Sequence, residues 1–322
     1  MARWGLRLGA AAAGIALLVA AELALGALAP APGSRMELFP LHGADGAEAL
    51  SRAVDLEAFV DSAWGLFERD RALMWRLKPG INEEAQAPPI NPTAPRWWIQ
   101  TDARGRRIGG GDGPVVALGD SSTFGWGVMD DEAWPARLGA ANLAVPGYSS
   151  EQGLAAARLA VGTLNVQSLV LAFGANDGHL TPWTDRSLMA GRMSTSGGIA
   201  WRVSGLELVA RLRNALYASR IKAVGARSDL APRVGAGAFV ENLRGMAALA
   251  PDARIVLLDV CAREEYSEAM AQLAWREGYG LVTYTGETID GCHPTAAGQE
   301  KIAREVDAAL SGGREAPRSL EQ

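Results

Sequence analysis

From Pro114 to about residue 312 the chain repeats one pattern: a short apolar run, a turn, then a helical stretch. The runs are Val115–Leu118, Leu143–Val145, Leu169–Phe173, Ile255–Leu258 and Leu281–Tyr284, separated by helical stretches such as Ser150–Leu164, Gly237–Ala250 and Ser267–Gly278. A strand that is apolar at successive positions, rather than at every second one, is buried on both faces, and helices on both sides of a parallel sheet bury it. The pattern predicts an α/β fold: a doubly wound three-layer α/β/α sandwich with about five parallel strands over residues 112–312. The interval from His179 to Arg233 exceeds an ordinary crossover. It reads as a helical insertion, with Gly205–Arg220 as one of its helices.

Upstream, residues 31–111 read as a stalk or accessory segment. A helical pattern runs from about Ala47 to Met74, Pro88–Pro92 cannot continue a helix and reads as an extended connector, and Trp97–Ile99 forms a short strand. The paired tryptophans pack on the main domain or line a sugar-binding face. Residues 313–322 read as a disordered tail. In residues 1–30, Arg3 and Arg7 precede Leu8–Ala29, where Glu22 is the only charge. That is the length of a transmembrane helix, and the positive-inside rule puts everything after Pro30 beyond the cytoplasm. A cleaved signal peptide competes, since Ala24-Leu25-Gly26 and Ala27-Leu28-Ala29 carry small residues at the required spacing, although Pro30 disfavours cleavage after Ala29. Both readings deliver the domain outside the cytoplasm, into the periplasm of a Gram-negative cell.

A net charge of −5 sets nucleic acid aside as a partner, because phosphate binding needs a concentrated basic face. The one Arg-rich stretch, Arg104-Gly105-Arg106-Arg107, reads as a solvated turn. Two cysteines, Cys261 and Cys292, are too few for a disulfide scaffold or a zinc site. One follows a predicted strand and the other lies in a loop near the last helix, so a bridge and a pair of free thiols both fit.

In an open parallel sheet the functional groups gather beyond the carboxyl ends of the strands, and the unusual residues fall there. Ser121 follows the first run, Gly147 the second, Asn176 the third and His293 the last. A serine hydroxyl is a poor nucleophile until a base takes its proton. Of the three histidines, His42, His179 and His293, the last is best placed, because Asp290 three residues earlier can accept from Nδ1 and leave Nε2 for Ser121. His179 reads as rim. Acyl transfer also needs donors at the oxygen that becomes negative. The Ser121 N–H at a helix start, the Gly147 N–H in Val145-Pro146-Gly147-Tyr148-Ser149 and the Asn176 side-chain amide are the candidates.

These blocks resemble the SGNH hydrolases, also called GDSL esterases and lipases. That family carries Gly-Asp-Ser, a Gly, Gly-x-Asn-Asp and Asp-x-x-His in this order; here they are Gly119-Asp120-Ser121, Gly147, Gly174-Ala175-Asn176-Asp177 and Asp290-Gly291-Cys292-His293. The resemblance implies the flavodoxin-like SGNH fold, Ser121 as nucleophile, Asp290 and His293 as its triad partners, and an oxyanion hole of Ser121, Gly147 and Asn176. It implies no metal and no organic cofactor. Ser122 stands where the family's name-giving motif has Leu, a position that does not touch the chemistry. Leu73–Gly80 and Phe124–Val128 look like a bacterial, membrane-anchored branch whose members often act on acyl groups of cell-surface polysaccharides. The expectation is a serine esterase acting on an O-acyl ester of an envelope or exopolysaccharide. Its rivals are an O-acyltransferase acting on a glycan and a non-catalytic module that binds glycan through Trp97, Trp98 and Trp126.

Overall fold

The computed structural model describes residues 2–28, 66–85, 96–181, 183–194, 198–199, 206, 208–209, 212 and 231–312. Ahead of the main sheet come α1 (Ala2–Leu28), β1 (Phe67–Asp70), β2 (Met74–Leu77), β3 (Asn82–Ala85) and β4 (Trp97–Gln100). Then follow β5 (Val115–Gly119), α2 (Ser121–Phe124), α3 (Trp134–Arg137), β6 (Ala141–Asn142), α4 (Ser150–Ala160) and β7 (Ser168–Ala172). The neck of the insertion is β8 (Leu180–Thr181), leading to α5 (Asp185–Met193), and β9 (Ala231–Pro232). The chain closes with α6 (Ala236–Ala247), β10 (Arg254–Asp259), α7 (Glu264–Glu277), β11 (Gly280–Thr283) and α8 (Ala296–Ser311).

The main sheet has the order β11-β10-β7-β5-β6, and every neighbouring pair is parallel. Its first strand in the chain, β5, therefore lies between the second and the third. The chain winds to one side, returns, and continues to the other, which opens a crevice at the carboxyl ends of β5 and β7. Successive side chains enter opposite cores. Val116, Leu118, Leu169, Leu171, Ile255 and Leu257 pack with Leu154 of α4, Phe239 of α6 and Met270 of α7. Ala117, Val170, Ala172, Val256 and Leu258 pack with Trp134, Ile302 and Val306 of α3 and α8. Each wholly buried Leu or Val contributes roughly 1.5–3 kcal/mol. Slipping a strand by one residue would exchange its two side-chain sets between the cores, so packing holds the register.

The helix ends follow from local chemistry. Ser149 and Gln152 form a capping box at the start of α4, Gly278 at φ 68° stops α7, and the Thr295 hydroxyl accepts the Gly298 N–H at the start of α8. The insertion is entered and left through one neck, since β8 pairs antiparallel with β9.

Several expectations need correction. The second strand is Ala141–Asn142, and Leu143–Val145 runs on beyond it along β5 through Leu143 N–H to Ala117 O (2.9 Å) and Val145 N–H to Gly119 O (3.2 Å). The helical pattern expected up to Met74 gives way to the β1–β2 hairpin, where the Asp70 carboxylate accepts the Ala72 and Leu73 N–H groups and closes a tight turn. The earlier part of that pattern, the Pro88–Pro92 connector, most of Gly205–Arg220 and the tail lie outside the described residues. Arg107 is not solvated. It is buried between the Trp97 and Phe124 rings, donates to the carbonyls of Phe124, Gly125 and Val128, and pairs with Asp130 at 2.6 Å.

Among the described residues no helix is long and apolar enough to cross a membrane, so the span expected over Leu8–Ala29 is not borne out. Within that stretch Glu22 is charged and accepts the Leu208 N–H at 3.1 Å.

Candidate active site

The turn that carries Ser121 forms because β5 ends in a glycine that nothing larger can replace. A Cβ on Gly119 would fall 2.4 Å from Thr123 Oγ1 and 2.8 Å from Ala172 O. Asp120 then caps α2, its Oδ1 accepting the Ser122 N–H at 2.9 Å, which leaves Ser121 at the first helical position and at the mouth of the crevice. On the opposite wall, Gln299 of α8 donates to Ser122 O at 3.1 Å and couples this turn to the C-terminal helix.

The structure brings Ser121, His293 and Asp290 into one hydrogen-bonded chain. His293 Nδ1 lies 2.6 Å from Asp290 Oδ2 and Nε2 lies 2.8 Å from Ser121 Oγ. An ionised carboxylate only accepts, so Nδ1 carries the hydrogen and Nε2 accepts from the serine hydroxyl. Burial pushes the Asp290 carboxyl pKa up. The hydrogen bond and charge of His293, with the N–H groups of His293 and Cys292, outweigh it and bring the value to about 2. The loop is braced by Ile289 N–H to His293 O (2.7 Å), and by a disulfide between Cys261 and Cys292 with Cα atoms 5.3 Å apart. That bridge resolves the choice between paired and free cysteines and ties the His293 loop to the end of β10. Trp126 lies beside the imidazole, ring centroids 6.3 Å apart, and rests in turn on Trp97 at 5.0 Å.

Across the crevice, Asn176 Nδ2 donates to Asp120 Oδ2 (3.1 Å) and to Tyr148 O (3.2 Å). Both of its hydrogens are engaged, so it donates to a further oxygen only by giving up one of these acceptors. Asp120 is buried, and burial raises its pKa against the opposing pull of the Ser122 N–H, the His293 charge and the Asn176 amide. Gly147 sits at φ 81°, a region that an L side chain rarely occupies, and among the described residues nothing accepts its N–H. Asp177 accepts Gly174 N–H (3.0 Å), Ser150 N–H (2.9 Å) and Ser150 O–H (2.5 Å). Burial nonetheless pushes it up to about 6. His179 is not part of the Ser121–His293–Asp290 chain; its carbonyl accepts the Arg233 N–H at 2.9 Å. His42 lies outside the described residues. Among the described residues no group of three or more His, Cys, Asp or Glu side chains is placed to hold a metal ion.

Arg233 enters the sequence reading only as the end of the insertion, with no role in the site. Its side chain is wholly buried and pairs with an equally buried Asp185 at 2.7 Å. It also donates to Gly147 O (2.8 Å) and Gln152 Oε1 (2.7 Å), while Ser149 Oγ donates to Asp185 at 2.6 Å. Trp75, likewise fully buried, donates from Nε1 to Pro146 O at 3.2 Å.

The sequence model of the GDSL-like lipase/acylhydrolase family matches residues 117–301, more than half of the chain. Solved structures with a similar arrangement include TesA, at 18% identity over 61% of this chain and 97% of that one, with a TM-score of 0.40. Others are the psychrotrophic esterase EstA from Pseudoalteromonas sp. (14%, 61% and 95%, TM-score 0.39) and a catalytic mutant of an acetylxylan esterase from Geobacillus stearothermophilus (13%, 64% and 97%, TM-score 0.38). Among curated proteins none matches. The family match, over a five-stranded parallel sheet, shows that this chain belongs to the GDSL-like lipase/acylhydrolase family within the SGNH superfamily and is a serine hydrolase acting on esters.

Proposed function

We propose that the protein hydrolyses an O-acyl ester through an acyl-enzyme on Ser121, outside the cytoplasm, with an acylated envelope or extracellular polysaccharide as substrate. The observation that carries the chemistry is the unbroken chain from Asp290 to His293 to Ser121, at 2.6 and 2.8 Å. His293 Nε2 takes the hydroxyl proton as Oγ attacks the carbonyl, and Asp290, ionised down to about pH 2, stabilises the imidazolium that forms. The negative oxygen of the tetrahedral intermediate takes the N–H groups of Ser121 and Gly147, and the Asn176 amide, which exchanges one of its present acceptors for it. Collapse returns the proton to the leaving alcohol, and a water activated by the same imidazole releases the acid.

The location is supported by the Cys261–Cys292 bridge, since such bonds persist in oxidising compartments. The glycan reading is supported by Trp98, which is 38% exposed and whose Nε1 donates to Asn82 Oδ1 at 2.6 Å. Gln100 Nε2 shares that acceptor at 2.8 Å, so a flat ring lies beside amides on the β3–β4 face. The test compares wild type with Ser121→Ala on a panel of nitrophenyl esters and on acetylated polysaccharides. Wild type is expected to release acetate and to be labelled at Ser121 by a fluorophosphonate, and Ser121→Ala to do neither. Turnover at the wild-type rate by Ser121→Ala would overturn the nucleophile. Transfer of acetyl to an added glycan, with no acid released, would replace hydrolysis by acyl transfer.

A further inference from the structure

The turn Pro146-Gly147-Tyr148 is held by its carbonyls, each taken by a different part of the chain. Pro146 O accepts the Trp75 indole N–H at 3.2 Å, Gly147 O accepts Arg233 Nη1 at 2.8 Å, and Tyr148 O accepts Asn176 Nδ2 at 3.2 Å. The first of these matters most for chemistry. The Pro146 carbonyl and the Gly147 N–H belong to one planar trans peptide, so they point in opposite directions. Fixing the carbonyl fixes the N–H.

We infer that Trp75 is a positioning residue: its indole N–H locks the Pro146–Gly147 peptide so that the Gly147 N–H is presented as an oxyanion donor. The inference rests on the ester-hydrolase mechanism above and gives the β1–β2 hairpin a part in it, although the hairpin lies outside the 117–301 family match. Met74 immediately before Trp75 sits at φ 72°, in a region that costs an L residue about 1–2 kcal/mol and persists only where surrounding contacts impose it. Those contacts come from the same turn and the helix it opens. Gln152 Nε2 donates to Leu73 O at 2.8 Å and the Tyr148 hydroxyl donates to Trp75 O at 2.7 Å, so the carbonyls of both neighbours of Met74 are held. The Trp75 ring, wholly buried, meets the Tyr148 ring edge-on at 5.8 Å. Among the described residues nothing else accepts the Gly147 N–H, so its direction is set from the carbonyl side.

The experiment replaces Trp75 in the full chain by Phe, and separately by 3-benzothienylalanine, which keeps the bicyclic shape and exchanges N–H for sulfur. Deleting an oxyanion donor outright typically costs about 100- to 1000-fold in kcat, so loosening one is expected to cost roughly 10- to 100-fold, with KM changed by less than about threefold. Affinity for an alkyl boronic acid, whose tetrahedral adduct places an oxyanion in the hole, should weaken by a similar factor. Trp134→Phe is the control for loss of a buried indole, because Trp134 Nε1 meets no acceptor among the described residues; its kcat should stay within about threefold of wild type. Wild-type kcat in the benzothienyl variant would overturn the role of Trp75, and so would an equal loss in Trp134→Phe. If Trp75→Phe does not fold, the isosteric variant alone decides. Failure of the mechanism itself looks different: wild type would then leave Ser121 unlabelled by a fluorophosphonate, and the inference would fall with it.

Discussion

Replacing Arg233 by Met removes a cation from a fully buried site. Arg233 and Asp185 are both 0% exposed, and the guanidinium engages Asp185 through Nε at 3.1 Å and Nη2 at 2.7 Å. After the substitution Asp185 keeps the Ser149 hydroxyl as a side-chain donor, and Gly147 O and Gln152 Oε1 each lose one. Breaking a buried ion pair from one side costs about 3–5 kcal/mol, mostly because the remaining charge is stranded. For a domain of this size each kcal/mol lowers Tm by roughly 2–4 °C, so a fall of about 6–20 °C is expected. Removing both charges should cost much less, since apolar replacement of a buried pair is often near neutral. The double variant Arg233→Met with Asp185→Leu should therefore recover roughly 2 kcal/mol or more relative to the sum of the single losses. Urea unfolding followed by tryptophan fluorescence measures all four corners of this cycle. A loss below about 1 kcal/mol in Arg233→Met, or strict additivity in the double variant, would refute the argument that the pair is desolvated and coupled.

Two further outcomes follow from the same site. The Cys261–Cys292 bridge closes a sequence separation of 31, for which chain entropy gives about 3–4 kcal/mol, so dithiothreitol should lower the urea midpoint accordingly, and two titratable thiols in the native, unreduced protein would end the assignment. Asp177 has its folded pKa raised by burial from 3.8 to about 6, so the folded state binds its proton more tightly than the unfolded chain does. Its contribution to stability is therefore most favourable below about pH 4, is lost as pH rises to 6, and stays unfavourable above; the span is of order 3 kcal/mol. The stability of wild type minus that of Asp177→Asn should fall across pH 4 to 6, and a flat difference would contradict the burial of an ionisable carboxyl there.

The parts of this molecule legible in its sequence are those whose signal is local. β5, β7 and β10 are marked by consecutive apolar residues because both faces of the sheet are covered, and Ser121, Asn176 and His293 stand out because each follows such a run or closes the last one. β6 is less legible: it has two residues, and the apolar run that suggested it continues along β5 as an irregular edge. The β1–β2 hairpin up to Met74 reads as helix because Phe67, Leu73 and Met74 suit either period, and Met74 needs a positive φ that no Gly or Asn announces. Arg107 illustrates the same limit from the other side. Three consecutive-looking charges, Arg104, Arg106 and Arg107, read as a solvated turn, yet one of them is drawn inside by carbonyls of the Phe124–Val128 turn that lie 17 to 21 residues away.

What separates the two groups is the kind of atom each residue addresses. Ser121, His293 and Asp290 address one another through side chains, so both ends of every contact are written as residue types, and a short motif can record them. Trp75 addresses a main-chain carbonyl, at Pro146, and Arg107 and Arg233, beside their carboxylate partners Asp130 and Asp185, address others, at Phe124, Gly125 and Val128 and at Gly147. Every residue carries a carbonyl, so the acceptor end of such a contact leaves no trace in the sequence, and the donor end reads as an isolated Trp or Arg. The side chains of the Ser121–His293–Asp290 chain are therefore recorded in two short blocks, Gly119-Asp120-Ser121 and Asp290-Gly291-Cys292-His293. The donors that hold its backbone in place are recorded only in the fold, because a buried carbonyl left without a partner costs about 1–3 kcal/mol whatever side chain it belongs to.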